Sequence, residues 1–154
     1  MPAAEPANAL PRFPVLRVVA QAVLGAVLLF TGTVHLTVGR ESFRAQVPTW
    51  VPLPVDTVVV LSGIAELVLG LALVLVWRRP WRSGVGWVVA LFFVAIFPGN
   101  VAQLVDHRSA FGLSTDTARA VRLVFQPVLV VWALWATGAW WAWRELRRER
   151  LSAG

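Results

Sequence analysis

The 154 residues contain no cysteine and no lysine. The first absence excludes disulfides, thiolate metal sites and any dithiol relay within this chain, so thiol chemistry would need thiols from a partner. The second puts every basic charge on arginine. Charge of either sign is scarce: 14% of residues are charged against 58% hydrophobic, an excess of apolar side chains over what a water-facing surface tolerates. The motifs of soluble enzymes are missing too, with no Walker loop, nucleotide fingerprint, Gly-x-Ser-x-Gly elbow or zinc spacing. A net charge of +6 raises nucleic acid as a partner. The arginines, however, cluster at the ends of apolar runs, which suits anionic lipid headgroups rather than a nucleic-acid stripe. The lipid bilayer is the expected partner and nucleic acid is not.

Four apolar runs are what the chain does have. About 20 apolar residues cross a bilayer as a helix, and the runs at 15–38, 55–77, 84–105 and 117–143 predict an all-α, four-transmembrane-helix bundle. Residues 1–14, with Pro2, Pro6, Pro11 and Pro14, read as a disordered lead, and 144–154 as a charged helical tail. No small-x-small cleavage site follows the first run, so it is expected to be retained as a span. Between the first two runs, Pro48, Pro52 and Pro54 prevent one continuous helix. The apolar Phe43, Val47, Trp50 and Val51 there predict a short segment at the interface or dipping back over the bundle.

Arginine counts orient the bundle. The lead, the 78–83 loop and the tail carry nine (Arg12, Arg17, Arg78, Arg79, Arg82, Arg144, Arg147, Arg148, Arg150), against five elsewhere (Arg40, Arg44, Arg108, Arg119, Arg122). This predicts an inner or plasma membrane protein with both termini in the cytoplasm. Trp77, Trp81, Trp87, Trp140, Trp141 and Trp143 then gather at the cytoplasmic face as an aromatic belt.

Glu66 lies near the middle of the second span, in Ser62-Gly63-Ile64-Ala65-Glu66-Leu67-Val68-Leu69-Gly70. A charged residue at the centre of such a helix costs about 2.5–3.5 kcal/mol on insertion scales, which makes an intramembrane acid a functional candidate. Gly63, Glu66 and Gly70 share one helix face, and small residues on it admit a second helix closely. Under the predicted topology the other polar residues converge on the same outer half. His35 ends the first span on a stripe with Gln21, Gly25, Leu28 and Gly32; Asn100 and Gln103 sit in the third; Arg122 and Gln126 in the fourth. Glu66 is either neutralised by Arg122 or hydrogen-bonded to Asn100 as structural glue, or it is a proton acceptor or headgroup anchor. A metal or haem held by His35 with His107 or Glu66 lacks further ligands, so no metal site is expected. Pro98 and Pro127 each free a carbonyl beside a buried amide, at a repaired kink or a lined cavity. Trp132 and Trp135 read as packing or lipid contacts.

The order and spacing of Gly32-Thr33-Val34-His35-Leu36, Phe43, the Val47–Pro52 run, Ser62–Gly70, Pro98-Gly99-Asn100 and Arg122…Gln126-Pro127 resemble the DoxX family of small four-helix membrane proteins, over roughly residues 20–138. Leu36 departs from the pattern, where Phe is expected after the histidine. The resemblance implies a membrane subunit of an oxidoreductase complex, accessory rather than catalytic on its own, with quinone as the candidate cofactor and redox proteins as partners. On that reading Glu66 is the catalytic, proton-exchanging residue. His35, Asn100 and Gln126 bind the ligand's carbonyls, and Arg122 tunes Glu66. The alternatives are a binding or transport protein for a small polar or amphipathic solute, for which a homodimer is expected, and a purely structural membrane partner.

Overall fold

The computed structural model describes residues 14–110 and 115–152. The predicted lead up to residue 13, and the loop residues Phe111 and Gly112, lie outside them. Six helices follow in order: α1 (Val15–Leu36), α2 (Arg40–Arg44), α3 (Val55–Leu75), α4 (Trp81–Val105), α5 (Asp116–Thr137) and α6 (Ala139–Ser152). No β-strand forms among the described residues. The all-α expectation therefore holds, with α1, α3, α4 and α5 long and apolar enough to cross a membrane. Their outer faces keep large apolar side chains exposed, among them Phe30, Val68, Leu91 and Val124. A bundle in water would bury these; one in lipid need not. The chain is a membrane protein.

Local chemistry sets the helix ends. Pro14 and Pro54 stand immediately before α1 and α3, where a fixed φ and a missing N–H do no harm. Thr115 starts α5 by accepting the Ala118 N–H on its hydroxyl at 3.3 Å, a side-chain N-cap. Two boundaries differ from the sequence reading by three residues or more. The fourth span stops at Thr137 rather than Trp143, because Gly138 takes a left-handed conformation (φ 74°) and its N–H returns to Trp135 O at 3.2 Å. Glycine adopts that geometry without a Cβ penalty. The tryptophans and arginines beyond it form a helix of their own, α6. α4 in turn begins at Trp81 rather than Gly84, which draws Arg82 out of the predicted loop and into the first helical turn.

Packing follows the small residues. α1 lies on α3 along a glycine seam: a Cβ on Gly32 would stand 2.9 Å from Gly63 O, and one on Gly70 2.9 Å from Gly25 O. α4 and α5 form the second pair. Leu24, Leu28, Leu73, Val89, Phe93 and Ala133 fill the space between the pairs, and the Trp132 indole ties them by donating to Ala20 O at 3.0 Å.

The two ends of the bundle are built differently. At the end next to α6, Arg82 is only 1% exposed. Its Nε donates to Gln21 Oε1 at 2.6 Å and its Nη2 to Ala136 O at 2.8 Å. Gln21 Nε2 donates onward to Leu73 O at 2.7 Å and Val76 O at 3.2 Å. These carbonyls belong to the last turns of α3 and α5, where acceptors lack helical partners and the helix dipole favours a cation. Arg17 covers the cluster's flank, 3.9 Å from the Trp141 ring centroid. At the opposite end the connector between α1 and α3 turns back over the bundle, with Phe43 and Val47 buried and Trp50 exposed, as predicted.

Candidate functional site

The last turn of α1 carries His35 inward, and its ring stacks on Phe43 with centroids 3.2 Å apart and planes 19° from parallel. His35 Nδ1 lies 3.1 Å from Thr31 O one turn back and 3.0 Å from Glu66 Oε2. A carbonyl can only accept, so the contact with Thr31 O puts a proton on Nδ1 and aims it along α1. This reconciles two facts about Glu66: its Oε2 is within ion-pair distance of the imidazole, yet it is buried and receives no hydrogen bond. Glu66 itself is 6% exposed, held on the α3 face by the close approach of Gly63 and Gly70 to α1.

The second helix pair contributes amides. Asn100 Nδ2 donates to Gln126 Oε1 at 2.8 Å, and Gln126 Nε2 donates to Phe93 O at 2.7 Å. Pro98 cannot give an N–H to Val94 O. The carbonyl that the amide meets is its neighbour Phe93 O, within the turn that the proline loosens. The expected link between Asn100 and Glu66 is thus replaced by an Asn100–Gln126 pair. Arg122, half-buried on α5, reaches Gln103 Oε1 with Nη1 at 3.4 Å and lies near enough to interact with the Glu66 charge.

His35, Glu66, Asn100, Arg122 and Gln126, picked out from the sequence on four separate helices, line one cavity of about 530 Å³. Its walls are otherwise largely apolar, with Leu28, Phe93, Ile96 and Leu129 prominent. The connector roofs it. Arg44 Nη2 fixes the connector to Asp56 Oδ2 of α3 at 2.9 Å, and Arg108 Nη1 donates to Val47 O at 3.0 Å. Gln46 O packs so tightly on Gly99 of α4 that a Cβ there would approach to 2.5 Å. Arg108 is set in turn by the α4–α5 turn, where buried Arg119 donates to Arg108 O, Ser109 Oγ and Asp116.

Sequence reasoning missed Gln46, which also lines the cavity and whose Nε2 is buried without a hydrogen-bond partner. Nothing periodic surrounds it in the connector, so only the fold singles it out. His107 stands apart from the cavity, exposed and 2.9 Å from Asp116 Oδ1, and forms no pair with His35. The site thus offers a carboxylate acceptor, an amide donor, a guanidinium and an imidazole at the edge of a mainly apolar space. A few placed polar groups on apolar walls is the usual make-up of a small-molecule site, and the volume falls within the ordinary range of about 300–1,000 Å³.

A family model described as Domain of unknown function (DUF8561) matches residues 24–137. The match ends on the last residue of α5, so it takes in all five cavity residues and leaves out α6. No curated protein and no solved structure matches the chain.

Proposed function

The chain belongs to the DUF8561 family, and we propose that it is a membrane-embedded accessory subunit of an oxidoreductase complex that binds a quinone-type head group in the outer half of its bundle. The observation that carries this reading is Glu66 Oε2, buried without a hydrogen bond beside a cavity rather than inside a closed network. An unmet buried acceptor costs roughly 1–3 kcal/mol, so an occupant bearing an O–H is favoured there. A quinol hydroxyl supplies that donor. When bound, a quinol would supply two electrons to a redox partner protein and two protons. Glu66 would accept one proton, and His35, whose Nδ1 already carries a proton toward Thr31 O, would accept the other on Nε2. Arg122 and the Gln46 amide donate to the resulting carbonyls, while Asn100 and Gln126, bonded to one another, fix the shape of that wall. The chain has no cysteine with which to carry electrons itself.

The motif resemblance to the DoxX family supports the same assignment. The arginine excess at the α6 end supports an orientation with both termini in the cytoplasm and the connector outward, in an inner or plasma membrane. A small, fully polar solute would leave the apolar walls unfilled, which favours an amphipathic ligand.

Protein purified in mild detergent, denatured and extracted, tests the reading by mass spectrometry. Stoichiometric quinone in the wild type, lost from the Glu66→Gln and His35→Ala variants, is the expected result. An extract holding only phospholipid would overturn it.

A further inference from the structure

The cavity is shut above and along two of its sides. The connector roof is pinned to α3 by Arg44–Asp56, to the α4–α5 turn by Arg108 and to α4 by the Gln46–Gly99 contact. The glycine seam shuts the α1–α3 side, and the Asn100–Gln126–Phe93 hydrogen bonds close the α4–α5 side. On the α3–α4 side the connector crosses only the outer end, with Pro48 and Val51 lining the cavity from above, while Ala95 below it lines the cavity and stays exposed. None of these fastenings spans α1 and α5. There Val27 and Phe125 line the cavity and are nevertheless 43% and 59% exposed. Each stands nine residues from the connector end of its helix (36 − 27 and 125 − 116), about 13 Å deep at the helical rise. A hydrocarbon core is about 30 Å thick, so this opening meets lipid tails, not water. Deeper in, the Trp132–Ala20 hydrogen bond closes the same seam and makes a window of it.

We infer that the ligand is a membrane-dissolved molecule that enters sideways from the bilayer, its polar head at Glu66 and His35 and its apolar tail leaving between α1 and α5 past Val27 and Phe125. The inference rests on the reading of the cavity as a headgroup site, and the window adds that the natural ligand carries a lipid-soluble tail. A water-soluble compound of the same head group would have to pass the pinned roof.

The test uses the full chain in phospholipid nanodiscs and a benzoquinone carrying an alkyl-diazirine tail, photolysed in place, with labelled peptides mapped by mass spectrometry. Labelling is expected on α1 near Val27 and on α5 near Phe125, and an excess of unlabelled alkyl-tailed benzoquinone should compete it away. Val27→Trp, which fills the window from the lipid side, should lower that labelling by about tenfold. Phe125→Ala, which widens the window, should speed it, so misfolding of the first variant cannot imitate the result. Competable label near Ala95 in place of Val27 and Phe125 would overturn the α1–α5 route while sparing the headgroup site. Label that the unlabelled alkyl-tailed benzoquinone does not compete would overturn both.

Discussion

The same four helices bury two polar clusters, one at each end, and the two are opposites. Next to α6, Arg82 and Gln21 spend their hydrogen bonds on each other and on the terminal carbonyls of α3 and α5. Under the connector, Glu66 and Gln46 each keep an unmet polar atom, and a cavity lies between the helix pairs. Both clusters are buried and both draw on residues that are expensive in a membrane. Ser83 Oγ beside Arg82 is also buried without a partner, so what separates a clamp from a binding site is not burial, charge or one unmet atom but an unmet atom that faces a cavity.

That contrast can be broken or sharpened by mutation. The largest loss of stability is expected from Arg82→Leu, which strands Gln21 Oε1 and Ala136 O at roughly 1–3 kcal/mol per buried group. Thermal unfolding in detergent reads it, and ligand retained up to the unfolding transition would keep the two ends independent. Next comes Gly63→Leu. A Cβ there already falls 2.7 Å from His35 Cβ, so overpacking of about 1–3 kcal/mol should appear together with loss of ligand. Glu66→Gln keeps the shape and removes the charge. Stability should change by less than about 1 kcal/mol while quinone retention falls about tenfold. A fall in stability with no change in retention would make this end a clamp as well. Smallest is Arg108→Gln, which unfastens Val47 O for about 1 kcal/mol and should show as faster amide exchange across 40–54.

The outer site was legible because polar residues inside apolar runs are few and the topology puts them in one half. Run length marked the helices, and the spacing of Gly25 and Gly32 and of Gly63 and Gly70 marked an inward face on each of two spans, but not that those two faces meet. The partners were not legible. Asn100 reads as a neighbour of Glu66, but its mate is Gln126, because helix rotation about the long axis is set by side-chain packing that no spacing encodes. Arg82 was hidden by its setting in Arg78-Arg79-Pro80-Trp81-Arg82, which looks like a wetted loop. The available signal was Gln21, a polar residue on the buried stripe of α1 at the depth where α4 begins. Gly138 likewise resembled one more small residue in an apolar run until its left-handed turn divided the fourth span from α6.

The glycine seam has a mechanical consequence. Where backbone meets backbone there is no rotamer to yield, so α1 and α3 behave as a single stiff beam, and the imidazole and carboxylate mounted on it keep their separation whatever the rest of the bundle does. The Asn100–Gln126 pair rides on the other beam. Any molecule that touches both sets of groups acts as a spacer between the two, and the width of the gap becomes a gauge of what occupies it.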